Sequence, residues 1–195
     1  MKTKVLFATA LLTMLTLSSF AQEKEKRFGF EVSGGASFAT RDLGGADLKF
    51  GFGGEGIFHY RFMPHAGVYA GWGYNTFSAE KSFDGTNIDV EETGYVFGLQ
   101  YKHPIGMSPV SYYVRAGGLY NHIEIENEAG DITDDTGHGF GWQVAGGVDV
   151  PLGRNWSLTP GIKFNSISGE IAKESTTTQL DLNYLQLRIG VLKKF

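Results

Sequence analysis

The chain has 195 residues, a formal net charge of −4, 28 glycines and no cysteine. That length suits one domain, and the missing cysteine excludes a disulfide scaffold, thiolate metal or redox chemistry and an acylated lipoprotein anchor. The acidic balance gives no reason to expect a nucleic-acid partner, and the glycines lack the three-residue period of collagen.

Residues 1–21 come first. Lys2 and Lys4 form a positive n-region, Val5 to Leu17 an apolar h-region, and Ser19-Phe20-Ala21 a small-x-small cleavage site before Gln22. The apolar run is short for a membrane helix, so residues 1–21 are expected to be a cleaved signal peptide and 22–195 the mature domain. Removing two lysines and no acid takes the formal charge from −4 to −6. No later stretch reaches 18 consecutive apolar residues, so no transmembrane helix is expected.

After the charged leader Glu23 to Arg27, the sequence alternates with a period of two, the signature of strands. Phe28, Phe30, Val32, Ala36 and Phe38 face one way, and Glu31, Ser33 and Ser37 the other. Thr40 to Asp47, with Gly44-Gly45, reads as a loop. The second strand, about Leu48 to Arg61, sets Phe50, Phe52, Phe58 and Tyr60 against Glu55, Ile57, His59 and Arg61. A tight turn at Phe62-Met63-Pro64-His65 leads to the third strand, Ala66 to Ser78, and a polar loop covers Ala79 to Asp89. The fourth strand, Val90 to Lys102, ends at the turn His103 to Met107; the fifth, Val110 to Glu126, ends at the acidic loop Asn127 to Gly137. The sixth, His138 to Val150, is followed by the turn Pro151 to Asn155. The seventh starts at Trp156; its phase is expected to slip, by a bulge or by leaving the membrane, because Ile167 and Ile171 share the parity of Lys163. Pro160 interrupts this strand, so a local bulge or a missing hydrogen bond is expected there. Ala172 to Thr178 is the last loop, and Tyr184 to Phe195 the eighth strand, with Leu185, Leu187, Ile189 and Val191 on one face and Gln186 and Arg188 on the other.

The connections run long, short, long, short, long, short, long. That pattern, with one apolar and one charged face, predicts an all-β fold: an eight-stranded antiparallel up-and-down transmembrane β-barrel with both ends on the short-turn, periplasmic side. A water-soluble barrel of lipocalin type would have its oily face inside. Here the charged face carries Glu31, Glu55, Arg61, Lys102, Arg115, Asp149, Lys163 and Arg188. A charge facing lipid costs about 2–4 kcal/mol at the midplane, so that face is the lumen. Buried charges must pair, which predicts a network of Glu31 and Glu55 with Arg115, Lys163 or Arg188, and a plugged core. Phe28, Tyr60, Tyr101, Tyr112, Trp156 and Phe195 at the short turns, and Phe38, Phe50, Tyr74 and Phe140 towards the long loops, form two aromatic girdles.

The Ala21-Gln22 junction, the glycine–aromatic alternation, the Leu158-Thr159-Pro160-Gly161-Ile162-Lys163 strand and the terminal Tyr184 to Phe195 strand resemble the outer-membrane β-barrel domain family. These are the "porin family" proteins, OmpX-like and OmpA-barrel-like eight-stranded barrels of Gram-negative bacteria. The resemblance covers the whole mature chain and is specific for fold rather than activity. It implies a monomer in the bacterial outer membrane, among outer-membrane lipids and lipopolysaccharide, inserted by the barrel assembly machinery through a terminal strand ending in Phe195, although Lys193 is a polar intrusion. Unlike OmpA, the chain is expected to end with the barrel, with no peptidoglycan-binding domain after it.

Other chemical signals are weak. Gly51-Phe52-Gly53-Gly54-Glu55-Gly56 matches G-x-G-x-x-G, but a strand and not a helix follows, so no nucleotide site or cofactor is expected. His59, His65, His103, His122 and His138 fall on different elements without metal spacing; His65 and His103 are read as solvated turn residues. Asp131, Asp134 and Asp135, with Glu124, Glu126 and Glu128, lack calcium-loop spacing, so no metal site is assigned. A lipid A-modifying enzyme would need a serine and a histidine oriented by a carboxylate. His122 with Glu124, and Ser78 or Ser168, are the only candidates, and no catalytic residue is assigned. Asn155-Trp156-Ser157 matches a glycosylation sequon without consequence in a periplasmic turn. The sequence thus predicts a non-enzymatic structural or surface-interacting barrel; the alternatives are a small-solute channel or an adhesin using loops 79–89 and 127–137.

Overall fold

The computed structural model describes residues 26–82, 85–173 and 176–195; the expected signal peptide lies outside the described residues. Ten strands follow in chain order: β1 (Phe28–Ala39), β2 (Gly51–Arg61), β3 (Ala66–Ser82), β4 (Gly85–Pro104), β5 (Ser111–Glu126), β6 (Ile132–Asp135), β7 (Gly139–Gly153), β8 (Trp156–Leu158), β9 (Gly161–Lys173) and β10 (Thr176–Lys194). Neighbours pair antiparallel, and β1 pairs with β10 from Gly29 opposite Lys194 to Ala39 opposite Tyr184, which closes the ring. β8 and β9 are two parts of one barrel strand, and β6 is a short ribbon on the far end of β5. The barrel therefore has the eight up-and-down strands that the alternation predicts.

Pro160 explains the break between β8 and β9. Leu158 lies opposite Val191 and Gly161 opposite Arg188 on one side. On the other side Leu158 lies opposite Val150 and Gly161 opposite Gly147. The register continues in step across the break, so there is no bulge; a strand residue without an N–H merely leaves a gap in the ladder. The third short turn is a two-residue loop. Arg154 and Asn155 both have positive φ, 48° and 71°, as a type I′ hairpin turn requires.

The long-loop end departs from the expected boundaries. Most of the polar segment 79–89 is hairpin, because β3 and β4 pair as far as Ser82 opposite Gly85. Likewise β9 and β10 pair to Lys173 opposite Thr176. A tilted span takes about 9–11 residues, and β4 and β10 have 20 and 19, so these strands continue well beyond the bilayer.

Beyond the bilayer the two faces exchange character. On β5 the outward residues run Tyr112, Val114, Ala116, Tyr120 and then His122, Glu124 and Glu126; the inward ones run Tyr113, Arg115, Asn121 and then Ile123 and Ile125. On β10 the inward series Arg188, Gln186, Tyr184 passes into Leu182 and Leu180. The solvent around the barrel changes from lipid to water, so the apolar residues move inside. The strand parity never slips: Ile167 and Ile171 are buried inward residues like Lys163.

Candidate functional site

The lumen is the site that the fold builds, and it has three layers. Just inside the short-turn mouth, where Lys102 and Lys194 share Asp149, Glu31 is fully buried between two guanidinium groups. Arg115 donates to it through Nη1 and Nη2 at 3.1 and 2.5 Å, and Arg188 Nη2 donates at 2.6 Å. Arg188 Nη1 also donates to Glu55 at 3.0 Å, and Lys163 Nζ reaches the other Glu55 oxygen at 2.9 Å. The network predicted from sequence thus exists as one chain of charges, Lys163–Glu55–Arg188–Glu31–Arg115. Strands β1, β2, β5, β9 and β10 contribute one member each, because inward positions on different strands meet across the narrow interior of an eight-stranded barrel. His59 Nε2 stands 3.4 Å from Glu31, so this histidine belongs to the lumen.

The middle layer is neutral apart from Glu92. Tyr184 donates its hydroxyl proton to Glu92 Oε2 at 2.7 Å and accepts from Asn75 and Asn165 at 2.7 and 2.6 Å. Asn121 donates to the other Glu92 oxygen, and Gln186 and Ser37 close the layer on Asn75 Oδ1 at 3.0 and 2.7 Å. Glu92 was not among the inward residues expected from sequence, although one more step of the β4 alternation beyond Val96 and Gly94 leads to it. Inward glycines make room for the large side chains: a Cβ at Gly98 or Gly117 would lie 2.7 or 2.6 Å from the Tyr69 hydroxyl, and one at Gly147 or Gly161 2.6 Å from that of Tyr113.

The third layer is apolar. Phe77, Val90, Ile123, Ile125, Leu180 and Leu182 are buried, and the Phe77 ring packs edge-on to Tyr184 at 5.2 Å. The first long loop dips into it. Leu43 and Ala46 bond each other's backbone across Gly44-Gly45 at 3.0 and 2.9 Å, and both are buried. Leu48 bridges to Ala79. This loop tip caps the mouth.

Lipid meets a belt of exposed Phe, Tyr, Trp, Leu, Val and Ile. At the short-turn girdle Phe28 packs on Tyr60 at 4.9 Å, and the Lys193 ammonium lies 4.6 Å over the Trp156 ring, so Lys193 reaches the interface as a cation–π partner. His65 and His103 stack at 4.6 Å at the same end of the barrel, with His65 exposed to solvent.

At the opposite rim the β4–β5 register sets Glu91 opposite Glu124 and Asp89 opposite Glu126. His122 Nδ1 is 3.1 Å from Asp135 and 3.6 Å from Glu124, and its ring stacks on His138 at 4.5 Å. Among the described residues His122, Glu124 and Asp135 are the group whose donor atoms converge, within 4.8 Å, closely enough to hold a metal ion. Spacing could not reveal it, because β6 brings Asp135 back beside β5. The two serines considered with His122 are engaged elsewhere: Ser78 bonds Asp89 at 2.5 Å and Ser168 bonds Asp181 at 2.6 Å. Gly51 to Gly56 lie in β2, as a strand and not a phosphate loop.

A family model described as the outer membrane protein beta-barrel domain matches residues 7–195. Among solved structures, the chain is similar to Neisserial surface protein A, with 18% identity, coverage of 89% of this chain and 100% of that one, and a TM-score of 0.60. It is similar to the outer membrane protein OprG from Pseudomonas aeruginosa, with 18% identity, 88% and 97% coverage and a TM-score of 0.59. It is also similar to E. coli outer membrane protein W, with 17% identity, 89% and 100% coverage and a TM-score of 0.52. No curated protein sequence matches the chain.

Proposed function

Since the chain belongs to the outer membrane protein beta-barrel domain family, and so to the bacterial outer membrane and its lipid and lipopolysaccharide environment, we propose that it is a closed, non-enzymatic barrel. It works as a monomer through the outer surface of its long-loop end. The observation that carries this reading is the filled lumen: a charge network at one level, a hydrogen-bonded layer above it, and an apolar layer capped by Leu43 and Ala46. An ion crossing it would have to break the buried pairs and then pass desolvated through hydrocarbon, and both steps are costly. The strands that leave the membrane instead present polar side chains to water, which is where a surface contact forms. In planar bilayers the purified barrel is expected to give no steady conductance. A large, steady, single-channel conductance would replace this reading with that of a small-solute channel. Deleting the tips of 79–89 and 127–137 and measuring cell attachment then separates a structural barrel, whose attachment is unchanged, from an adhesin.

A further inference from the structure

Beyond the long-loop girdle, the outward face of the β5–β6 ribbon gathers metal-ligating side chains that the filled lumen does not use. The register sets Glu91, Glu124 and Asp135 side by side on three neighbouring strands, β4, β5 and β6. Carboxylates directly opposite one another repel and weaken a sheet, and this row has a carboxylate at each of its three positions. A local break with the pairing rules is expected where a functional site requires it.

A second observation is an imidazole aimed into that row. His122 lies one outward step before Glu124 on β5. Its Nδ1 stands 3.6 Å from Glu124 Oε1 and 3.1 Å from Asp135 Oδ1. The His138 ring lies over it at 4.5 Å with 13° between the planes, which fixes the orientation of the imidazole. The Gly137 N–H donates to Asp135 Oδ1 at 2.7 Å, the kind of outer partner that holds a metal ligand in place. The side chains of His122, Glu124 and Asp135 are 15%, 18% and 45% exposed, so an ion reaches them from water.

We propose that His122, Glu124 and Asp135 bind a divalent transition-metal ion of the zinc class. One imidazole nitrogen and two carboxylate oxygens suit Zn²⁺, whereas Ca²⁺ takes oxygen ligands. A tetrahedral ion with bonds of about 2.0–2.1 Å holds its ligand atoms about 3.4 Å apart. Nδ1 already stands at such a distance from both carboxylates, so closure asks only for a small movement of the two acidic side chains. The neutral ring then carries its proton on Nε2, and three protein ligands leave a fourth position to water. The two positive charges offset the repulsion along the row, and the ion ties β6 to β5 through Asp135. The site does not depend on whether the lumen conducts.

The test uses the complete mature barrel in a non-ionic detergent, free of a histidine tag. Zn²⁺ alone is titrated by calorimetry, with Ca²⁺ in a parallel titration. One equivalent of Zn²⁺ is expected to bind saturably and about tenfold or more tighter than Ca²⁺. Affinity for Zn²⁺ is expected to fall about tenfold or more in His122→Ala and in Asp135→Asn. It is expected to be unchanged in His65→Ala, which removes an exposed imidazole at the opposite end of the barrel. The Thr136 amide, which donates to the Ile123 carbonyl at 3.0 Å, is expected to exchange more slowly with Zn²⁺ present in the parent barrel and not in the two ligand variants. Faster migration of the unboiled variants on a denaturing gel verifies that they are folded. Absence of saturable Zn²⁺ binding, Ca²⁺ bound as tightly as Zn²⁺, or affinity kept in either folded ligand variant overturns the proposal.

Discussion

Arg188 holds two buried carboxylates, Glu31 at 2.6 Å and Glu55 at 3.0 Å, and its own side chain is 1% exposed. Removing it leaves Glu31 to Arg115 and Glu55 to Lys163, so the acids keep one cation each and lose the link between them. Breaking a buried pair by taking one partner costs about 3–5 kcal/mol. Arg188→Gln is therefore expected to lower the urea midpoint of the refolded barrel by an amount of that order, followed through Trp72, Trp142 and Trp156 fluorescence; a cost under about 1 kcal/mol would show that the pairs are not desolvated as the geometry requires. Outside the bilayer the relevant charges repel. Loss of water, and then the charges of Glu91, Glu124 and Asp89, raise the Glu126 carboxyl above its ordinary value. Its proton is held more tightly in the folded ribbon than in the unfolded chain, so the ribbon is favoured below the ordinary carboxylate range and loses that stability as pH rises through the raised value. Amide exchange at Ile123 and Ile125, corrected for intrinsic rates, is expected to slow on acidification, and Glu126→Gln is expected to weaken that dependence. Equal dependence in both proteins would contradict the ladder.

At the scale of the strand, period-two alternation made most of the fold legible. Within each described strand the side of a residue follows from parity, and Glu31, Glu55, Arg115, Lys163 and Arg188 could be grouped because an eight-stranded barrel leaves inward charges only each other. What parity could not supply was the solvent around the strand. Ile167, Ile171, Leu180 and Leu182 look out of phase when lipid is assumed along the whole length; water around the far end makes the same parity correct. The rim cluster of His122, Glu124 and Asp135 was invisible for a different reason, since it depends on β6 folding back beside β5. Pro160 tests the continuity of a strand. Its register runs unbroken on both sides, so Pro160→Val asks for no backbone shift. It supplies a ladder donor, worth about 0.5–1.5 kcal/mol. The expected outcome is a higher urea midpoint with protection of the new amide from exchange; a lower midpoint would show that β8 and β9 need the break.

The whole molecule combines two packing regimes on one set of strands. In the membrane, apolar side chains face out and the interior is ionic; beyond it, polar side chains face out and the interior is a hydrocarbon core. Tyr184 joins the halves, its hydroxyl in the Glu92 layer and its ring against Phe77. The lower half is held by buried pairs and surrounded by lipid, whereas the upper half resembles a soluble β-protein and depends on ordinary core packing. Leu182→Ala separates them. A buried leucine cut to alanine costs about 2–5 kcal/mol, and that loss falls on the core formed with Phe77, Ile123, Ile167 and Leu180. Hydrogen exchange is expected to quicken in the β9–β10 and β3–β4 hairpins beyond the membrane, while amides at the Lys163, Arg115 and Arg188 level stay protected and the unboiled barrel keeps its gel mobility. Such a result identifies the outer half as a separately opening unit. If protection were lost uniformly down the barrel, the two regimes would be one cooperative structure, and the capped mouth could not open without unfolding the membrane-embedded part.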